Sequence, residues 1–128
     1  MQHLNNNILL IEEDPDLLSV YSEALEKRGY QVEVSSYPGS DSAQKVKPDL
    51  IISDVIVNTL EEESRLLKRF QTLTRDGQAP ILQLLSNKML KQIKQHEGSY
   101  AESQLKIEYV EEYIGPEKLA IQAKKYLN

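Results

Sequence analysis

Five short apolar runs succeed one another along this chain, and the stretches between them mostly carry the three- and four-residue spacing of amphipathic helices. Ile8-Leu9-Leu10-Ile11 and Leu50-Ile51-Ile52-Ser53 are unbroken apolar runs, as expected of strands covered on both faces in a parallel sheet. Gln31–Val34 alternates polar and β-branched residues, which places it nearer a sheet edge. Ile81–Leu85, led by Pro80, is a fourth strand, and Ile107–Val110 a fifth. Asp14-Pro15 reads as an N-cap acid with proline at the first helical position. Leu17, Leu18, Tyr21, Ala24 and Leu25 then form a stripe that Gly29 closes. Ser40–Val46 is at most a short helix, after Pro38 and Gly39. Glu61–Leu73 carries Leu66, Leu67, Phe70 and Leu73 on one face, with acids early and Lys68 and Arg69 late, in keeping with the helix dipole. Lys88–Gln95 predicts a helix of weak amphipathicity, and Gly98–Gln104 a loop. Gly115-Pro116 opens a last helix with Leu119, Ala123, Tyr126 and Leu127 as its stripe. Five βα units of this kind predict a doubly wound, five-stranded parallel sheet with helices on both faces. In such a sheet the site lies at the carboxyl ends of the strands, beside the point where strand order reverses.

Composition narrows the chemistry. The chain has 128 residues, enough for one domain over 1–128 with its own core, and no output domain is expected beyond the last helix. It contains no cysteine, which excludes disulfides, thiolate nucleophiles and cysteine zinc sites. Its two histidines, His3 and His96, lie far apart in sequence and outside any ligand spacing. A net charge of −5 argues against phosphate-backbone binding, so no nucleic-acid partner is expected. No apolar run approaches the roughly 20 residues needed to span a bilayer, and the N-terminus lacks the features of a signal peptide. The expected location is the cytoplasm, with no membrane partner.

The residues just after the strands are mostly acidic. Glu12, Glu13, Asp14 and Asp16 follow the first strand, Asp54 the third, Ser86 and Asn87 the fourth, and Glu111 and Glu112 the fifth. Asp14 is accounted for as a helix cap. Glu12, Glu13 and Asp54 are expected to converge, and clustered carboxylates raise one another's pKa or recruit a cation. An oxygen-only donor set suits magnesium with several waters retained.

With these residues in place, the chain resembles the receiver domain of two-component response regulators. The resemblance rests on IEEDPDLL at 11–18, KPDLIISD at 47–54, PILQLLS at 80–86 and EYVEEYIGPEKL at 108–119, and spans essentially the whole chain. It implies a flavodoxin-like fold, magnesium at the first-strand acid pair Glu12 and Glu13, and Asp54 as phosphoacceptor. The backbone carbonyl of Ile56 would complete the metal site. It also implies a histidine kinase or phosphotransfer protein as phosphodonor. Enzymatic activity would be limited to self-phosphorylation from that phosphohistidine and autodephosphorylation. A downstream protein would dock on the face made by the helix at 88–95, the fifth strand and the last helix, with a homodimer as another assembly to consider.

Departures from the family pattern temper those implications. Both members of the acid pair are glutamate, and the extra methylene at Glu13 predicts weaker magnesium binding. The family's lysine after the fifth strand, followed by proline, falls on Glu112 and Tyr113, a reversal of charge. The family's Ser or Thr at the end of the fourth strand falls on Leu85 by strict spacing, and Ser86 is the favoured equivalent. VIVNTLEEES after the third strand lacks the usual Met-Pro turn, and an insertion around His96–Gln104 lengthens the run between Ser86 and Glu112. Tyr109 does coincide with the family's switch aromatic. Two readings follow: a phosphorelay receiver using Asp54, or a phosphorylation-independent pseudo-receiver that binds proteins. A flavodoxin-like nucleotide binder or enzyme is disfavoured, because EEDPD stands where a glycine-rich phosphate loop would be needed.

Overall fold

The computed structural model describes residues 6–35, 47–74, 79–95 and 105–127. In chain order the elements are β1 (Asn7–Ile11), α1 (Pro15–Glu26), β2 (Gln31–Ser35), β3 (Leu50–Ser53), α2 (Leu60–Thr74), β4 (Ile81–Leu85), α3 (Asn87–Gln95), β5 (Ile107–Glu111) and α4 (Pro116–Lys124). The expected helix at Ser40–Val46 and loop at Gly98–Gln104 lie outside the described residues. The five strands form one parallel sheet in the order β2-β1-β3-β4-β5. Strand order reverses beside β1, so the crevice at the carboxyl ends of β1 and β3 is the expected site. As its alternating sequence predicts, β2 is an edge strand.

Side-chain alternation along the strands builds two cores. Ile8, Leu10, Leu50, Ile52, Leu82 and Leu84 face α1 and α4, where Tyr21, Leu25, Leu119, Ala120 and Ala123 complete the cluster. Leu9, Ile11, Ile51, Ile81 and Leu85 face α2 and α3, against Leu66, Leu67, Phe70, Met89 and Ile93. Each fully buried Leu or Ile contributes about 1.5–3 kcal/mol of transfer free energy.

Local sequence sets the helix ends. The Asp14 carboxylate accepts the N–H groups of Asp16 (2.9 Å) and Leu17 (3.3 Å), the capping role expected of it. Gly29, at φ +89°, takes the left-handed turn after α1 and donates to the Glu26 carbonyl. At the start of α2, Thr59 Oγ1 accepts the Glu62 N–H (3.1 Å) while the Glu62 carboxylate accepts the Asn58 N–H (2.9 Å). Two local expectations need correction. Lys68 and Arg69 sit in the middle of α2 rather than in its last turn, because the helix continues to Thr74 and that turn has no basic residue. The helix at 88–95 is not weakly amphipathic: α3 begins at Asn87, buries Met89 and Ile93, and turns Lys88, Lys91 and Lys94 outward. Its apolar positions are few but lie on one stripe, so a low apolar count concealed strong segregation. Among the described residues, no helix is long and apolar enough to cross a membrane.

Candidate functional site

Backbone pairing carries three loops to one end of the sheet. The Asp54 N–H continues the ladder onto the Ile11 carbonyl (2.9 Å), the Glu12 N–H onto Ser35 (3.0 Å) and the Glu112 N–H onto Leu85 (2.8 Å). Asp54 therefore leaves β3 immediately beside the point where Glu12 leaves β1. Glu12 is buried, only 6% exposed, and its Oε2 accepts the Asp14 N–H at 3.2 Å. Its Oε1 is buried with no donor among the described residues.

The Asp54 carboxyl is pushed up from 3.8 to about 8. Burial is the largest cause, followed by a hydrogen bond to the Glu12 side chain and by the charges of Glu12, Glu112 and Asp14. A bond between two carboxyl groups exists only while one of them carries a proton. Carboxyl groups crowded in this way favour a bound proton or a cation between them.

Tyr21, which the sequence marks only as part of an apolar stripe, forms one wall of this pocket. Burial and then the charges of Asp54 and Glu12 push its hydroxyl up to about 12, so it remains a donor. It donates to the Ile114 carbonyl at 2.8 Å and fixes the loop that follows Glu112. In that loop Tyr113 is 74% exposed and adopts φ 59°, a conformation uncommon for a residue with a Cβ. Tyr21→Phe is expected to cost about 1 kcal/mol, through the Ile114 carbonyl left without its donor. A lowered urea midpoint with an unchanged m-value would register it.

The other sequence candidates are distributed unevenly. Glu112 lies close enough to raise the Asp54 pKa, so its charge acts in the pocket. Glu13 is exposed, as is Ile56 at 73%. Leu85 belongs to the second core, whereas the Ser86 hydroxyl accepts the Met89 N–H (3.2 Å) and caps α3. Tyr109 is half-buried on the opposite side of β4 and β5 from α4, and its hydroxyl donates to Glu63 at 2.9 Å. From the sequence, Glu63 is one more of the acids at a helix start. Its signal was present in the spacing: three residues before Leu66 and seven before Phe70, it belongs to the buried stripe. Among the described residues, no group of three or more His, Cys, Asp or Glu side chains is arranged to hold a metal ion.

No protein-family model matches the sequence, and no curated protein sequence matches it. Solved structures do match in fold. The chemotaxis response regulator CheY4 of Vibrio cholerae is 22% identical, with a TM-score of 0.68 over 94% of this chain and 98% of that one. A CheY-like response regulator receiver domain protein from Methanospirillum hungatei JF-1 is 19% identical, with a TM-score of 0.68 over 94% and 91%. The receiver domain of sensor histidine kinase PA1611 from Pseudomonas aeruginosa PAO1, described with a magnesium ion coordinated in its active site cleft, is 18% identical, with a TM-score of 0.65 over 95% and 97%. Five parallel strands in the order β2-β1-β3-β4-β5, with helices on both faces, give this chain the flavodoxin-like fold of a response regulator receiver domain.

Proposed function

We propose that the chain is a receiver module of two-component signal transduction in which Asp54 accepts a phosphoryl group from a phosphohistidine of a histidine kinase or phosphotransfer protein. The observation that carries this reading is the position of Asp54 at the carboxyl end of β3, in hydrogen-bonding contact with the buried Glu12 at the end of β1. An Asp54 carboxylate oxygen attacks phosphorus as the P–N bond to the donor imidazole breaks. The imidazole nitrogen keeps that electron pair and takes up a proton. The attacking Asp54 oxygen must be ionised, so a proton held on that carboxyl leaves before the attack.

The donor set fits a hard divalent cation. Glu12 Oε1 is buried and lacks a donor among the described residues, and the Glu12 side chain meets Asp54 in the crevice. Glu12, Asp54 and the Ile56 carbonyl would hold magnesium with waters completing its shell, and Glu13, exposed in the same loop, adds charge more than coordination. When bound, the ion neutralises charge shared between carboxylate and phosphoryl oxygens. On this reading Ser86, which caps α3, and Tyr109 on β5 would be the phosphate-sensing and switch residues for the α3–β5–α4 surface, where a downstream protein would dock.

A second reading, a pseudo-receiver that acts without phosphorylation, is favoured by one observation: Glu112 places negative charge near Asp54. The two separate on incubation with a small acyl phosphate donor, with and without magnesium, followed by intact mass. The receiver reading expects a gain of one phosphoryl group in wild type, dependent on magnesium and absent in Asp54→Asn. No gain at any magnesium concentration selects the pseudo-receiver.

A further inference from the structure

Away from the carboxyl-end pocket, the sheet face under α2 holds a second set of buried polar groups. Glu63 and Gln83 are each 0% exposed. Tyr109 stands directly opposite Gln83 in the β4–β5 ladder. All three belong to the face that carries Ile81, Leu85, Leu66 and Phe70. The Tyr109 hydroxyl donates to Glu63 Oε2 at 2.9 Å, which ties α2 to β5. Gln83 Nε2 donates to the carbonyls of Leu84 (3.2 Å) and Val55 (3.4 Å), and so reaches the residue after Asp54.

Two acceptors in this set have no donor among the described residues: Glu63 Oε1 and Gln83 Oε1 are both buried and unpartnered there. A carboxylate buried with one hydrogen bond is costly, and a like cost falls on a buried amide oxygen with none. One proton on Glu63 Oε1 removes the charge and turns an acceptor into a donor, on a face where an acceptor waits.

Among the described residues, no charged side chain is shown paired with Glu63. β4 presents Gln83, which does not titrate, and β5 presents Tyr109, with Lys106 and Glu111 exposed at its ends. From α3, Met89 and Ile93 point inward while Lys88, Lys91 and Lys94 are exposed. On α2 itself, Glu61 pairs with Arg65 at 3.2 Å and Glu62 accepts the Asn58 N–H. At the end of β3, Asp54 faces Glu12, Glu112 and Asp14.

We propose that Glu63 is a proton-operated clasp between α2 and β5: with its proton it stays beneath the sheet holding Tyr109, and without it the carboxylate withdraws toward water and releases the Tyr109 hydroxyl. The device needs no phosphoryl group and stands apart from the chemistry at Asp54. Burial pushes the Glu63 carboxyl up from 4.5 to about 7, and the Tyr109 bond pulls it partly back. The proton is therefore expected to leave near neutrality.

The test is side-chain carbon NMR on the intact chain, following Glu63 Cδ and Tyr109 Cζ from about pH 5 to about pH 9. Both resonances are expected to move together with one midpoint near 7, and to do so equally in an Asp54→Asn background. In Glu63→Gln the Tyr109 step should vanish, leaving its shift at the low-pH value throughout. Tyr109→Phe, which removes a bond that the clasp makes only while Glu63 is protonated and in place, should move the Glu63 midpoint downward. A Glu63 midpoint in the ordinary glutamate range overturns the clasp. So does a Tyr109 step that persists in Glu63→Gln. If Glu63→Gln does not fold, an unmoved or raised Glu63 midpoint in Tyr109→Phe overturns it instead.

Discussion

Glu112→Lys is expected to accelerate phosphoryl transfer to Asp54 by on the order of 100-fold. The charge of Glu112 already registers at Asp54, where it helps to keep a proton on the carboxyl. During transfer, negative charge spreads over the phosphoryl oxygens, and a nearby carboxylate opposes it twice. It repels the incoming group, and it disfavours the ionised nucleophile. An ammonium at the same backbone position reverses both effects. Removing one good donor from a preorganised oxyanion site costs about 3 kcal/mol, and gaining one is worth a similar amount. The Glu112 N–H is fixed to the Leu85 carbonyl, so the backbone from which the new side chain springs is held in place. Initial rates of acyl phosphate formation in wild type, Glu112→Lys and Glu112→Lys/Asp54→Asn measure the effect. Equal rates in the first two rule out a repulsive role for Glu112, as does labelling that survives in the third.

Asp54→Asn is expected to stabilise the fold, by about 2 kcal/mol at mildly alkaline pH and hardly at all near pH 4. In the folded chain Asp54 holds its proton to about 8, whereas the unfolded value is 3.8. Between those values the folded state binds more protons than the unfolded one, so wild-type stability falls as pH rises. The stability associated with the bound proton is complete below about 4 and lost as pH climbs through about 8. A tenfold change in proton affinity is worth about 1.4 kcal/mol, and solvent screening at this half-buried site reduces the total to about 2 kcal/mol. Asparagine has nothing to ionise, and its amide supplies Glu12 with a donor at every pH. Urea midpoints across this range should therefore diverge steadily between variant and wild type. Parallel curves would show that the pocket carries no such charge conflict. Glu63 adds a slope of the same sign, which Asp54→Asn leaves behind and Glu63→Gln removes.

Much of the architecture was legible because two-sided burial writes itself plainly into sequence. The runs at 8–11 and 50–53 contain almost nothing but branched apolar residues, and nothing other than an interior strand of a parallel sheet uses them well. Asp54 was legible for the same reason, since a buried strand delivers its next residue to a fixed place. Glu63 was not, because an acid in the first turn of a helix has a ready explanation in the helix dipole. Only its phase relative to Leu66 and Phe70 gives it away. Tyr21 was hidden differently: its ring satisfies the apolar stripe, and the hydroxyl's partner, Ile114, lies 93 residues further along. The contrast between Leu85 and Ser86 was open at the level of sequence, since one residue decides which face of β4 a side chain occupies. The structure assigns Leu85 to the core and Ser86 to the cap of α3.

The packing of α1 against α4 has a consequence for how such a chain comes off the ribosome. One core cluster joins Ile8 to Leu127, and Arg28 pairs with Glu117 at 3.0 Å across 89 residues of sequence. The stripe of Tyr21 and Leu25 therefore emerges early and has no permanent cover until the residues of α4 follow. Contacts so distant in sequence close last and slowly. Between the emergence of α1 and that of α4 the nascent chain carries a greasy flank that chaperones can hold and neighbouring chains can stick to. α4 is the cover that ends this exposure, and translation speed between α1 and α4 sets how long it lasts.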